Sequence, residues 1–158
     1  MTSKITSCLW FDGQAEAAAK LYTSLVPNSK IGKITKYPEG TPGQAGTVMT
    51  VEFELDGAQF VGLNGGPEFK FSEAVSFQIH CKDQAEVDRY WNALIEGGGE
   101  ESVCGWCKDR FGLSWQVIPE VLPKLMADPD RDKANRATAA MMGMKKLDIA
   151  QLEAAAAG

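Results

Sequence analysis

The chain has few side chains that could do chemistry, and the most suggestive pair is Cys104 and Cys107. Their CxxC spacing occurs in redox proteins and in zinc sites. A thioredoxin-type pair needs a strand that meets a helix N-terminus, which lowers a thiol pKa. Here the pair enters a predicted strand and hairpin, where residues three apart point to opposite faces. Redox chemistry is therefore disfavoured, and zinc binding by the cysteines (Cys8, Cys81, Cys104, Cys107) lacks a second CxxC.

A histidine and two carboxylates are the other ionisable candidates. His80 is the one histidine of the sequence and could act as a general base near neutral pH. It lies near the end of a predicted strand without a second histidine, so a rim position is the favoured interpretation. Glu52 and Glu54 share one strand face and could bind a cation or exchange protons. Such a stripe is more typical of a solvated sheet face.

The tryptophans and glycines point to binding rather than to nucleotide chemistry. Trp106 shares its strand phase with Lys108, which predicts an aromatic wall at a cavity mouth, with core packing as the alternative. Gly65-Gly66 and Gly97-Gly98-Gly99 do not lie between a strand and the start of a helix, as a nucleotide fingerprint requires. The sequence therefore offers no Rossmann turn for S-adenosylmethionine.

The elements that must position these residues follow one order twice, strand–helix–three strands. Alternating apolar residues and the Asp56-Gly57 turn signal predict a hairpin in the first copy. Asp83, with Glu86 three residues on, predicts the N-cap of the second helix. The predicted strands are 5–11, 30–37, 47–55, 58–64, 74–81, 100–103, 105–109 and 113–118, and the predicted helices are 14–26 and 84–96.

A helical tail follows the second copy, predicted at 119–127, 131–144 and 145–157. Methionines concentrate there, and methionine is an adaptable packing residue, so the tail is interpreted as a lid or as a contact with a partner subunit. The predicted fold class is α+β, with two βαβββ modules forming a cup and a C-terminal helical tail. Residues 1–158 form one domain, with module one at about 1–67, module two at about 71–119 and the tail at about 120–158.

Bulk properties limit the classes of partner and location. The 158 residues suit one domain with its own core. The net charge of −5 without a basic run disfavours nucleic acid. No signal peptide is visible from Met1 onward, and no apolar run is long enough to cross a membrane. We therefore expect a cytoplasmic protein with free thiols and no membrane partner.

The end of the second module carries a specific resemblance. The runs 104–106, 108–109 and 111–119, with Ser114-Trp115-Gln116-Val117-Ile118-Pro119 at their end, resemble the closing motif of the PhnB-like group. That group belongs to the vicinal oxygen chelate superfamily, with glyoxalase I, bleomycin resistance proteins and extradiol dioxygenases. Many members carry the label 3-demethylubiquinone-9 3-methyltransferase. The resemblance implies two βαβββ modules around a cavity, and a homodimer.

Metal ligands of the superfamily are His or Glu at inward strand positions. The glyoxalase pattern laid on this chain gives Ser7, Gly62, Ser76 and Gln116, none of which is a His, Glu or Asp. Hydroxyls and one amide are poor ligands for a divalent metal. No metal or other cofactor is therefore expected.

These observations predict a protein that binds a small molecule in its cup without metal. The alternatives are a metal-dependent lyase, isomerase or dioxygenase of the superfamily and, further off, the labelled methyltransferase. No catalytic residue is identified, and the sequence leaves open whether the chain is an enzyme. The predicted cavity residues are Ser7, Asn64, Ser76, Gln78, Trp106 and Gln116.

Overall fold

The computed structural model describes residues 3–42 and 44–158. Met1 and Thr2, where the search for a signal peptide began, and Gly43 of the loop predicted at 38–46 lie outside the described residues. The chain divides into two compact units, Met1–Lys70 and Phe71–Gly158, and each is described by itself.

Unit one is a four-stranded mixed sheet with one helix. In the sheet order β1-β4-β3-β2, β1 pairs with β4 in parallel and the other neighbours are antiparallel. Asp56 and Gly57 form the β3–β4 turn at positive φ, as the tight-hairpin prediction requires. The elements are β1 (Ser7–Phe11), α1 (Ala15–Leu25), β2 (Lys30–Lys36), β3 (Val48–Leu55) and β4 (Ala58–Asn64).

The core of unit one lies between α1 and one face of its sheet. Val51 and Phe53 alternate inward along β3, and the ring of Phe53 stacks on that of Phe60 at 5.2 Å between centroids. Ala18 and Tyr22 of α1 are fully buried. Small alanines let the helix approach the sheet closely, so one face is covered.

Unit two repeats the arrangement and adds the tail. Its sheet order, β5-β8-β7-β6, again has one parallel pair, β5 with β8. The Asp83 carboxylate accepts a hydrogen bond from the backbone N–H of Glu86 at 2.9 Å, which caps α2 as predicted. The elements are β5 (Ser76–Cys81), α2 (Gln84–Ile95), β6 (Glu100–Glu101), β7 (Trp106–Lys108), β8 (Ser114–Pro119), α3 (Val121–Met126), α4 (Arg131–Met142) and α5 (Ile149–Ala157).

The tail helices pack on the end of β8. Ile118, Leu122, Leu147 and Leu152 form one buried cluster, with Met141 among the side chains packed against it. The predicted fold class, two βαβββ modules and a helical tail, is confirmed. Among residues 3–42 and 44–158, no helix is long and apolar enough to span a membrane.

Candidate functional site

The sheet of unit two has one face covered by α2 and one open face. Trp115 and Val117 of β8 are buried toward the helix, so Gln116 between them points the other way. Gln116 is paired in register with Gln78 of β5 on one side and with Trp106 of β7 on the other. The strand pleat therefore brings one aromatic ring and two amides to the same open surface.

Hydrogen bonds connect the polar side chains of this open face. The Nε2 of Gln116 donates to the Oγ of Ser76 at 2.8 Å. The Oε1 of Gln116 accepts from the Nε2 of Gln78 at 3.3 Å. The amide of Gln116 is thus held at both ends, which orients it before any ligand arrives.

A cavity of about 430 Å³ lies beside this row. Its volume is within the range of small-molecule pockets. Gln78 and Gln116 supply amides and Trp106 supplies an aromatic ring, whereas no carboxylate, histidine or cation is among the lining residues. Such a surface suits an uncharged, largely apolar group with one polar edge. The other lining residues are Cys104, Ile118, Leu122, Pro123, Met126 and Met141.

The tail helices provide one wall of this cavity, through Met126 at the end of α3 and Met141 of α4. Backbone bonds fix the chain after α4 against the strand region: the N–H of Cys104 donates to the carbonyl of Met144, and the N–H of Gly105 to that of Lys145, both at 2.8 Å. The sequence predicts a lid or a partner contact for the tail but does not indicate that the tail lines this cavity. The only sequence signal was the concentration of methionines.

Gly105 is a position where only glycine fits. Its φ is +83°, and a Cβ there would lie 2.9 Å from the Cδ1 of Leu147. A side chain would therefore strain the backbone and push the tail away from the sheet. The glycine keeps the tail close enough to form the cavity wall.

A buried carboxylate sets the start of β8. Asp109 is 2% exposed and accepts from the backbone N–H groups of Phe111 and Leu113 at 2.8 and 3.1 Å. Its second oxygen accepts from the indole N–H of Trp115 at 2.9 Å. This carboxylate ties the β7–β8 turn to the strand that presents Gln116.

In unit one the predicted cavity residues are used differently. Asn64 accepts at Oδ1 from the N–H of Ala15 at 2.9 Å and donates to the carbonyl of Val48 at 3.1 Å. Its own carbonyl accepts from the hydroxyl of Tyr37. Asn64 therefore secures the start of α1, and it also lines a separate cavity of about 420 Å³ in unit one. Ser7 is paired in register with Phe60. It therefore lies on the side of the unit-one sheet that α1 covers, as Asn64 does.

Gly62, one of the positions aligned with a superfamily metal ligand, also faces α1. A Cβ at Gly62 would lie 3.0 Å from the Cβ of Ala15. The alignment had treated Gly62 as an inward, ligand-bearing position, and in this structure that is wrong. A larger side chain there would press on the helix.

The comparisons with known proteins agree with the twofold βαβββ order. The family model described as 3-demethylubiquinone-9 3-methyltransferase matches residues 3–118. The chain belongs to this family. The PhnB protein of Bacillus cereus, named as a candidate 3-demethylubiquinone-9 3-methyltransferase, is 33% identical, with a TM-score of 0.68 over 74% of this chain and 99% of that one. The predicted PhnB-like membership is thereby confirmed.

More distant likenesses concern the fold. Protein PA1353 of Pseudomonas aeruginosa is 21% identical, with a TM-score of 0.63 over 75% of this chain and 98% of that one. A glyoxalase/bleomycin resistance protein of Albidiferax ferrireducens is 14% identical, with a TM-score of 0.49 over 75% of this chain and 99% of that one, and it says nothing about activity. No curated protein matches the chain.

Divalent metal chemistry does not fit the donors that this family member presents on the open face. Ser76 and Gln116 are hydrogen-bonded to each other, and hydroxyl and amide groups are weak ligands compared with carboxylate and imidazole. Across residues 3–42 and 44–158, no three His, Cys, Asp or Glu side chains are grouped closely enough to hold a metal ion. His80 is exposed near the end of β5, and Glu54 pairs with Lys30 at 3.7 Å.

The CxxC pair, Cys104 and Cys107, lacks the features of a redox site. Cys107 is 1% exposed, and burial, with a smaller contribution from Asp109, raises the pKa of its thiol to about 12. Cys104 lies outside the strands at φ +59°. A reactive pair needs a thiol of lowered pKa, so neither burial nor position supports disulfide chemistry.

Proposed function

We propose that the chain is a binding protein for a small molecule with an uncharged aromatic or similarly flat ring, which it holds on the open face of unit two without a metal ion. The supporting observation is the 430 Å³ cavity, where Trp106 and two amides meet a wall of apolar side chains. An aromatic ring would lie against Trp106, and Gln78 and Gln116 would hydrogen-bond its polar edge.

The hydrogen-bond network indicates which polar groups the edge of the ligand ring could carry. The Oε1 of Gln116 already accepts from Gln78, and its Nε2 donates to Ser76. The amide of Gln78 keeps its own carbonyl oxygen for a ligand donor, and each amide nitrogen carries a second N–H. A hydroxyl or carbonyl on the ligand ring can therefore be recognised.

The family name mentions a ubiquinone precursor, so a substituted benzoquinone and the matching phenol are suitable probes. They would be titrated into the 15N-labelled protein, and the shifts of the Trp106 indole and of the Gln78 and Gln116 side-chain amides followed. Binding should weaken about tenfold in Gln116→Ala, since two polar contacts and their orientation are lost. Gln59→Ala, an amide on a strand of unit one, is the matched control.

Three results would contradict the proposal. Stoichiometric metal in the purified protein, found by elemental analysis, would point to a metal-dependent enzyme. Heat of binding with S-adenosylmethionine in calorimetry would point to the methyltransferase that the family name describes. Probe shifts that Trp106→Leu and Gln116→Ala leave unchanged would place binding elsewhere.

The homodimer stays a prediction. Among the described residues, exposed apolar side chains such as Val103 (56%) and Met142 (66%) offer surface that a second copy could cover. Light scattering at micromolar concentration tests this, and a monomer would contradict it.

A further inference from the structure

A second, smaller cavity of unit two shares Trp106 with the larger one. Its volume is about 140 Å³. Ser114, Lys108 and Glu100 also line it, and both Ser114 and Glu100 are paired in register with Lys108. These side chains share the open face of the sheet. The remaining lining residues are Glu73, Glu101, Ser102 and Cys107.

Ser114 marks this cavity as a site with an unused polar group. Its side chain is 1% exposed. Among residues 3–42 and 44–158, its hydroxyl oxygen is the one buried side-chain N or O atom without a hydrogen-bond partner. An unpaired buried hydroxyl costs free energy that a bound donor would recover.

The charges around Ser114 favour a cation. The ammonium of Lys108 is held by Glu73 at 2.7 Å, and this hydrogen bond raises the lysine pKa. Glu101 accepts from the indole of Trp91 at 3.0 Å, which fixes its position. Within the described ranges the side chain of Glu100 forms no hydrogen bond or close ion pair, and its charge adds to the raised pKa of Lys108. Three carboxylates against one ammonium leave two negative charges uncompensated.

An anionic group fits less well. It would have to displace Glu73 from Lys108 and would then face the carboxylate of Glu100. A protonated amine meets the opposite situation, because Glu100 attracts it, Ser114 accepts its N–H and the face of the Trp106 ring stabilises positive charge.

We infer that the cavity lined by Glu100, Ser114 and Trp106 is an ammonium subsite, and that the ligand of this protein is an aromatic amine. This rests on the proposed function, because the ring would occupy the larger cavity and the amine the smaller one. Ser114 and Gln116 lie two residues apart on β8, about 7 Å along the strand, so a short alkyl chain links the two.

The test compares three ligands of one shape and different charge, namely 3-phenylpropylamine, 3-phenylpropanol and 3-phenylpropanoate. Dissociation constants would be measured by NMR titration at low ionic strength, where exposed charges are least screened. The amine should bind about tenfold more tightly than the alcohol, and the carboxylate should bind more weakly than the alcohol.

Variants assign the effect to the subsite. Glu100→Gln should remove most of the advantage of the amine and leave the alcohol unchanged, whereas Glu153→Gln, an exposed carboxylate on α5, should change neither. Ser114→Ala should weaken the amine about threefold more than the alcohol. It keeps the small side-chain volume, so folding is retained.

The outcomes separate the two proposals. If the alcohol binds at Gln116 but the amine has no advantage, or if the carboxylate binds best, the ammonium subsite is wrong while the proposed function stands. If none of the three binds, both fail. An advantage of the amine that survives Glu100→Gln and Ser114→Ala also overturns the subsite.

Discussion

The two sheets have equivalent strand orders, but their polar residues have different roles. In unit one, Asn64 near the end of β4 turns toward the helix and bonds the first N–H of α1. In unit two, Gln116 of β8 turns toward the open face and bonds Ser76 and Gln78. Both amides line a cavity of similar volume, but Asn64 binds backbone groups of the fold, whereas Gln116 is held by side chains beside an aromatic ring. The same module can therefore use an amide to support a helix or to present a polar edge.

The strand turns differ in the same way. Asp56 forms the β3–β4 turn at φ +46° with an exposed side chain. Asp109 of the β7–β8 turn is buried and accepts three hydrogen bonds. Both turns use residues at positive φ, Asp56-Gly57 in unit one and Gly112 in unit two, but the turn of unit two is held in addition by one buried carboxylate.

The largest expected effect comes from removing that carboxylate. Asp109→Ala leaves two backbone N–H groups and an indole N–H without a buried acceptor, and it should lower the free energy of unfolding by about 3 kcal/mol. Asp56→Ala should cost only about 1 kcal/mol, because its side chain is solvated and the loss comes from placing alanine at positive φ. Urea denaturation measures both changes.

Asp109→Asn is the matched control. It keeps one oxygen for the backbone and loses the acceptor for Trp115, so its cost should fall between those of the two alanine variants. Equal losses for Asp109→Ala and Asp56→Ala would mean that the two turns are held alike.

Replacing Asn64 should mainly reduce stability, whereas replacing Gln116 should mainly reduce ligand affinity, and both effects should be of intermediate size. Asn64→Ala should lower the free energy of unfolding by about 1–2 kcal/mol, because the start of α1 loses its acceptor. Gln116→Ala should lower it by less than about 1 kcal/mol, since its bonds lie on an open face. The order should reverse for affinity, where only Gln116→Ala weakens an aromatic ligand. Urea denaturation of both variants measures stability, and NMR titration measures affinity for the ligand. Loss of ligand binding in Asn64→Ala would contradict this prediction.

Most of the fold was predictable from local patterns. Alternation along Val51, Phe53 and Leu55 fixed which face of β3 is buried, and Asp83 marked the start of α2. Strand ends were predicted to within two residues and were mostly too long, as at 74–81 against Ser76–Cys81, because backbone pairing rather than side-chain type decides where a strand begins.

The site was predictable only in part. In unit two, apolar neighbours such as Trp115 and Val117 gave the phase of Gln116 correctly. In unit one, Gly62 hides the phase of β4 because it has no side chain. Phe60, two residues before it, was the available signal that Asn64 faces the helix. The cavity wall from Met126 and Met141 depends on tertiary packing, which local patterns do not encode.

The last comparison concerns the cysteines, which also differ between the units. Cys8 of unit one is exposed, whereas Cys81 and Cys107 of unit two are fully buried. Burial raises the pKa of both buried thiols to about 12, from a value near 9 in the unfolded chain. A thiol reagent at pH 8 should therefore modify Cys8 in the folded protein and reach Cys81 and Cys107 only on unfolding.

The same shifts fix the sign of a pH dependence. The fold favours the protonated thiols, so their contribution to stability is fully present below pH 9 and is lost as pH rises from about 9 toward 12, where the unfolded chain binds fewer protons. The free energy of unfolding should fall over that range. The slope should be much shallower in Cys81→Ala/Cys107→Ala and only slightly shallower in Cys8→Ser, because burial raises the pKa of the Cys8 thiol less. All other titratable groups are common to the three proteins, so the difference in slope isolates the thiols. Equal slopes would mean that burial in unit two does not protect its cysteines.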